Sequence, residues 1–380
     1  MPKIAFIHNN FPSGGAERVT IDIARYLSSF EGYRVYVLAT RIRDGGYGDF
    51  ITTCRIPSQM DMSKRSRAIE KCIVREGIDI LVEVSKSIRD IAGIRRRTGV
   101  KVVFACHGAP FWQQYMIQYR RQRNAFLWHL IYKRRFDDGT RALQMARSRT
   151  CADYEGCDVY TVLCGQYKTQ LEREFGIDAS ASKIRVIENS EKLVQDVNLD
   201  KEKIVLYCGR LENWSKRVDR LLRIWAKVQD RMSDWRLVIV GGGKDREMLE
   251  KLSADLRLQR VSFEGPTREP WLYYGRASVV ALTSQFEGWP LVLSEAQANG
   301  CICVAFDCVA GVEGCMGESG KTGFLVPSFD EDAFASALLD VSAMDAQAQR
   351  EIRLNALKWR ERFTPDRIAS KWKQLFDDII

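Results

Sequence analysis

Two glutamates bracket a turn that opens a helix in Ser284-Gln285-Phe286-Glu287-Gly288-Trp289-Pro290-Leu291-Val292-Leu293-Ser294-Glu295-Ala296. Pro290 suits the first turn of a helix, which leaves Glu287 in the preceding loop and puts Glu295 about one and a half turns inside. Amides near Leu291 and Val292 can meet an anion, and the carboxylates can accept hydrogen bonds from sugar hydroxyls. Incidental surface charge is the alternative, and the Gly288-Trp289-Pro290 turn between the glutamates argues against it.

Three further loops carry groups that could act on a charged ligand. In Tyr207-Cys208-Gly209-Arg210-Leu211, followed by Lys216-Arg217, Arg210 offers a planar fork and Lys216 a point charge. Together they could clamp a diphosphate and stabilise it as a leaving group, or they could be part of a solvated basic loop. The run Val240-Gly241-Gly242-Gly243-Lys244 admits close backbone approach to a ligand, although a flexible turn would read the same. Gly14-Gly15-Ala16-Glu17 also leads from a strand into a helix, and is equally an anion site or a tight turn. His107, in Cys-His-Gly at a strand's carboxyl end, is either a site residue or a satisfied loop histidine. Asp330-Glu331-Asp332 spells a metal-binding pattern but precedes an apolar-periodic helix, where acidic residues cap the amino end, so no metal site is expected.

These loops need a scaffold of strands that end at them. Short β-branched runs alternate with helix-period segments throughout the 380 residues, which predicts an α/β protein with parallel sheets. Strands are expected at 4–8, 34–39, 78–83, 100–106, 159–164 and 184–187, and again at 204–208, 236–240, 261–264, 279–282, 302–306 and 323–326. The polar, acidic stretch 188–203 interrupts the rhythm. The expected organisation is one α/β domain at 1–190, a linker at 191–203 and a second α/β domain at 204–363. A C-terminal helix at 364–380, after the Thr364-Pro365 break, is open to cross back to the first domain.

Charge is uneven along the chain. Residues 1–200 hold 32 Lys+Arg and 23 Asp+Glu, whereas 201–380 hold 26 of each; residues 111–150 alone hold 9 and 2. Such a concentration predicts an anionic partner: nucleic acid, an acidic membrane or a phosphorylated substrate. The segment 111–150 interleaves aromatic and basic residues, which favours contact with an anionic membrane surface over a core-facing helix with a basic rim. No signal segment or transmembrane span is read, and eleven cysteines without a CxxC pair, mostly inside apolar runs, fit reduced thiols in a cytosol.

The E-x7-E run from Glu287 to Glu295 resembles the signature of retaining GT-B glycosyltransferases of family four, which build bacterial surface polysaccharide and lipopolysaccharide. Gly14-Gly15-Ala16-Glu17, Gly209-Arg210-Leu211 with Lys216, Gly241–Gly243, Phe263-Glu264-Gly265 and Thr322-Gly323-Phe324-Leu325-Val326 follow in the family's order. The resemblance implies two Rossmann-like domains with parallel sheets facing each other across a cleft. It assigns Glu287 to the donor sugar, Glu295 to the ribose, Arg210 and Lys216 to the diphosphate, and His107 to the neighbourhood of the donor sugar. Gly14, Gly15, Gly209, Gly242, Arg268, Gly288, Leu291 and Val292 complete the expected donor site. Arg210 and Lys216 are six apart where the family has five, so a bulge is expected within 212–215.

The implied reaction moves a hexose or N-acetylhexosamine from a nucleotide sugar, with UDP first and GDP open, to a saccharide acceptor that is expected to be lipid-linked. No metal or other cofactor is expected, and the enzyme would be cytoplasmic, peripheral on the inner face of the membrane. A soluble acceptor and a GT-B nucleotide-sugar epimerase are the nearer alternatives. A basic nucleic-acid-binding protein is the distant one, because it leaves Glu287, Glu295 and the glycine turns unexplained.

Overall fold

The computed structural model describes residues 2–12, 15–30, 32–43, 47–58, 60–84, 88, 90–112 and 140–380, without the side chains of 140–142. The chain divides into two compact units. Among the described residues the first holds those up to 112, 140–190 and Phe363–Ile380, and the second holds Glu191–Arg362.

The first unit alternates β1 (Lys3–Phe11), α1 (Gly15–Ser28), β2 (Arg34–Ile42), β3 (Ile51–Arg55), α2 (Met62–Glu76), β4 (Ile80–Glu83), α3 (Ile91–Thr98) and β5 (Lys101–Ala105). It continues with α4 (Thr140–Gly156), β6 (Val159–Val162), α5 (Gly165–Phe175) and β7 (Ile184–Val186). All seven strands pair in parallel in the order β3-β2-β1-β4-β5-β6-β7. Central strands such as Ile80–Glu83 are buried on both faces, which is why they read as unbroken apolar runs. The edge strand β3 was not expected: Ile-Thr-Thr-Cys-Arg is short, largely polar and buried at Ile51 alone.

The second unit restarts the pattern with β8 (Glu202–Cys208), α6 (Asn213–Lys216), α7 (Val218–Val228), β9 (Arg236–Val240), α8 (Arg246–Asp255), β10 (Val261–Gly265), α9 (Trp271–Tyr274) and β11 (Ala277–Leu282). There follow α10 (Leu291–Ala298), β12 (Ile302–Phe306), α11 (Ala310–Met316), β13 (Phe324–Val326), α12 (Glu331–Ala343) and α13 (Ala346–Arg360). Its sheet runs β10-β9-β8-β11-β12-β13, again all parallel. The stretch expected to be a linker packs on this unit instead. Lys201 Nζ donates to the carbonyls of Tyr274, Gly275 and Asn299 at 3.1, 2.9 and 2.7 Å, and β8 already begins at Glu202. A half-buried ammonium with three carbonyl acceptors is satisfied, so polarity here marks a packed strap rather than a free connection.

The last helix, α14 (Pro365–Ile379), belongs to the first unit and lies against α1. Its buried stripe of Ile368, Trp372, Leu375 and Phe376 follows helical spacing, and Phe376 meets Phe6 of β1 edge-on at 6.4 Å. Phe376→Ala is expected to destabilise the protein by about 3–5 kcal/mol, the usual cost of emptying a buried aromatic site. Urea denaturation followed by circular dichroism checks this.

Candidate functional site

In each sheet the strand order reverses once, between β1 and β4 and between β8 and β11. Crossover helices diverge to opposite faces at such a point and leave a crevice beyond the strands' carboxyl ends. The loops with candidate chemistry leave those ends.

In the second unit the loop after β11 carries Ser284, Gln285 and Glu287, and the segment after β8 carries Arg210 in its loop and Lys216 at the end of α6. Lys216 Nζ donates to Glu287 Oε1 at 2.6 Å, and Ser284 Oγ donates to the same oxygen at 2.6 Å. The lysine and glutamate side chains are 19% and 10% exposed, so the pair is largely desolvated yet open to a ligand. The six-residue spacing from Arg210 to Lys216 is not absorbed by a bulge. Residues 213–216 form the one-turn helix α6, and Arg217 follows in the left-handed region at φ 48°. Backbone at that φ is strained for a side chain with a Cβ, and the surroundings hold it there. Thr283 Oγ1 donates to the Arg217 carbonyl at 3.1 Å, and the Gln285 amide donates to the Ser215 carbonyl at 2.7 Å. Gln285 Oε1 accepts from Arg220 Nη2 at 2.7 Å and from Arg217 Nη1 at 3.4 Å. This buried network ties the lysine's helix to the glutamate's loop. Gln285 read only as a loop residue in the sequence, because nothing local announces an acceptor for two arginines from another segment.

Glu295 lies in α10, whose first residues are Leu291 and Val292; Pro290 caps the helix rather than starting it. Tyr274 Oη donates to Glu295 Oε2 at 3.0 Å. Burial, then the neighbouring Glu295 charge, raises the phenol well above its usual range, so it remains a donor. The structure does not bring Arg210 to the Lys216–Glu287 pair. Its side chain is 67% exposed and pairs with Glu212 at 3.0 Å. Its backbone, in contrast, is fixed: the Tyr207 hydroxyl donates to the Arg210 carbonyl at 2.8 Å. Arg268 is exposed in the loop after β10 and joins none of these groups.

The glycine run has a structural reason. A Cβ on Gly241 would stand 1.8 Å from the Gly209 carbonyl oxygen, and one on Gly243 would stand 2.4 Å from that of Leu211. Close backbone approach is thus realised loop against loop, while Gly242 meets only Pro266 at ordinary distance. Gly288 lies in the turn after Glu287. Asp330 Oδ1 accepts from the amides of Asp332 and Ala333 at 3.1 and 2.9 Å and caps α12. Among the described residues no group of three or more His, Cys, Asp or Glu side chains is placed to hold a metal ion.

In the first unit Gly15 opens α1, and Gly14 lies outside the described residues. His8, at the end of β1, has Nδ1 3.4 Å from Glu17 Oε1 and Nε2 2.9 Å from Thr20 Oγ1. Burial works to raise the Glu17 carboxyl, but the hydrogen bond from His8 and other contacts outweigh it and hold the group below its usual value. Arg65, fully buried, was not singled out from the sequence. It donates to Thr40 Oγ1 and the Pro57 carbonyl, both at 2.7 Å, and to the His8 carbonyl and Asn9 Oδ1 at 3.3 and 3.2 Å. It thereby fixes the exit of β1, from which the glycine loop departs. Most of the segment 111–150 lies outside the described residues. Of its aromatic residues, Phe111 is buried and Trp112 is 41% exposed. Among the described residues no helix is long and apolar enough to cross a membrane.

The family described as Glycosyltransferase Family 4 matches residues 13–190, and that described as Glycosyl transferases group 1 matches residues 189–359. The chain is a glycosyltransferase of the GT-B fold. An uncharacterized glycosyltransferase of Haemophilus influenzae is 27% identical over 98% of this chain and 99% of its own. A Campylobacter jejuni enzyme, GalNAc-alpha-(1->4)-GalNAc-alpha-(1->3)-diNAcBac-PP-undecaprenol alpha-1,4-N-acetyl-D-galactosaminyltransferase, is 23% identical over 100% and 99%. Among solved structures, Anabaena HepE in complex with UDP-glucose superposes with a TM-score of 0.74 at 19% identity, covering 99% of each chain.

In this glycosyltransferase His107 Nδ1 lies 2.9 Å from Asn189 Oδ1, which places the proton on Nδ1 and leaves Nε2 as an acceptor. Burial pushes the imidazole down from 6.5 to about 4, with the Asn189 contact opposing. A folded-state value below the unfolded one means that the neutral ring adds stability above pH 6.5, and that this is lost as pH falls through 4. Urea midpoints of the wild type are therefore expected to decline from pH 6.5 to 4, and those of His107→Gln to decline less.

Proposed function

We propose that this glycosyltransferase works with retention, moving a hexose or N-acetylhexosamine from a UDP-sugar to a lipid-linked saccharide in bacterial surface polysaccharide or lipopolysaccharide synthesis. The observation that carries the reading is the Lys216–Glu287 pair beside α10, with Glu295 of that helix held by Tyr274 of α9. A nucleotide sugar needs what these groups offer: positive charge for the diphosphate, carboxylates for the hydroxyls, and helix amides at Leu291 and Val292 for a phosphate. HepE, of the same fold, is solved with UDP-glucose, and the Campylobacter relative acts on an undecaprenol-linked glycan.

In this mechanism the bond from the anomeric carbon to the diphosphate oxygen breaks as charge develops on the diphosphate. The acceptor hydroxyl attacks the same face, and its proton passes to the departing phosphate oxygen, so no protein base is required. Lys216 and Arg210 stabilise the leaving group, and Arg210 exchanges Glu212 for the phosphate when donor binds. Glu287 is then freed in part from Lys216 and holds the donor sugar, while Glu295 holds the ribose. Glu287, Lys216, Arg210 and His107 are the residues proposed to touch the reacting sugar and diphosphate. Gly15, Gly209 and Gly288 leave room for the donor, and the two lysine and arginine charges replace a metal ion.

The segment 111–150, with 9 basic and 2 acidic residues, is proposed to rest on the anionic inner face of the cytoplasmic membrane, where a lipid-linked acceptor resides. Nucleic acid has no place in this reading.

Arg210→Ala is expected to lower turnover at saturating donor by roughly 100-fold or more, the scale of losing one preorganised charge on a leaving group. A panel of UDP-sugars with lipid-linked acceptors measures it, and the wild-type rate is expected to survive excess chelator. Near-wild-type turnover in the variant would remove Arg210 from the mechanism. Co-sedimentation with phosphatidylglycerol vesicles is expected at low salt and to fade as salt rises; no binding at low salt would refute the membrane contact.

A further inference from the structure

A second concave surface lies away from the carboxyl ends of the strands. A groove of about 580 Å³ runs between α9 and one face of β8, β9 and β10. Its floor alternates by two along each strand, with Ile204 and Leu206, Arg236 and Val238, and Ser262 and Glu264, as one face of a sheet must. Parallel sheets ordinarily carry full helices on both faces. The crossover from β10 to β11 supplies only the single turn Trp271–Tyr274, so this part of the sheet is partly covered. Trp271 and Leu272, 52% and 55% exposed, form the rim. The next residue but one, Tyr274, turns inward to hold Glu295, so the same turn serves both places.

The chemistry of the lining narrows the occupant. Arg236 Nη2 and Arg276 Nε each donate to Glu202 at 2.5 Å, so both cations at the groove's edge share one carboxylate, and Glu264 adds a further negative charge. That is poor complementarity for a phosphate or polyanion. The volume is that of a small-ligand site. Two exposed apolar side chains fall far short of the roughly 800 Å² per partner that a stable protein interface buries. What remains is the indole of Trp271 and the phenol of Tyr273 beside an aliphatic floor, edged by guanidinium, carboxylate and hydroxyl groups: apolar faces with directional donors and acceptors at their margins, which match the apolar face and the equatorial hydroxyls of a pyranose.

We propose that this groove is a second saccharide site, binding a short neutral oligosaccharide apart from the donor and acceptor. It rests on the functional reading only in that such glycans surround the enzyme, and its test involves no turnover.

The test is saturation-transfer NMR on the full chain with maltotetraose and with the tetramer of N-acetylglucosamine, each in the absence and presence of saturating UDP. Transfer to at least one probe is expected, undiminished by UDP. Trp271→Ala is expected to weaken that probe at least tenfold while leaving the melting temperature and UDP affinity unchanged. Glu264→Ala, on the strand floor, gives an independent loss should Trp271→Ala fail to fold. The proposal is overturned if neither probe receives magnetisation, if UDP displaces it, if both variants bind like wild type, or if Trp271→Ala instead dissolves a dimer of this chain. Failure of UDP itself to bind would count against the donor assignment and leave the groove standing.

Discussion

The Lys216–Glu287 ion pair is the contact around which the second unit's loops are arranged. Removing two charges from water costs several kcal/mol per ion, which attraction alone does not reliably return, so such a pair adds little to stability by itself. It persists because the neighbourhood over-determines it. Ser284 adds a second donor on Glu287, and the α6 turn and the left-handed Arg217 direct the lysine inward. Gln285, buried, joins Arg217 and Arg220 behind them. In the proposed reaction a donor phosphate meets an ammonium whose position was fixed in folding, so little reorganisation is left for that step.

The glycine turns serve the same end by another route. The amides of Gly209 and Leu211 donate to the carbonyls of Val240 and Gly242, each at 2.9 Å, and Asp245 returns an amide to the Leu211 carbonyl at 3.2 Å. Two loops from adjacent strands thus behave as one extended layer, and any Cβ at Gly241 would force them apart. Arg210 consequently has a fixed root and a solvated head paired with Glu212. That combination suits the role proposed for it, and it separates Arg210 from Lys216, whose head is fixed as firmly as its root.

Much of this was legible in the sequence because parallel strands buried on both faces write themselves as short apolar runs. Ile302–Phe306 and Arg236–Val240 stand where those runs predict. What escaped depended on partners distant in the chain. The edge strand β3 has neighbours on one side only and lacks the full apolar signature. Arg65 looks like any helix-surface arginine until Thr40, Pro57 and His8 are folded around it. The extra residue before Lys216 suggested a bulge, since spacing alone does not say whether a loop bows out or winds up. The acidic stretch 191–203 looked like a linker because Lys201 finds three carbonyls that only the folded second unit assembles.

Charge shows the same dependence on folding. Counted to residue 150, the chain carries 27 basic and 13 acidic side chains, but part of that excess is met by acids just beyond. Arg95 pairs with Asp158 and Arg147 with Glu174. Extended to residue 190 the balance is 31 to 20, a surplus of eleven, of which seven belong to 111–150. Within α3, Arg97 is engaged by Glu70 and Asp90, so its field is spent inside the unit. Seven of the eleven surplus charges thus fall within forty residues of the sequence rather than being spread over the domain. Concentration matters because screening confines attraction to about 8–10 Å at ordinary salt, so charges act together only when one surface presents them at once. At about 1 kcal/mol for each Lys or Arg near an anionic bilayer, a surplus of this size matches the reversible, salt-sensitive membrane contact proposed for this segment.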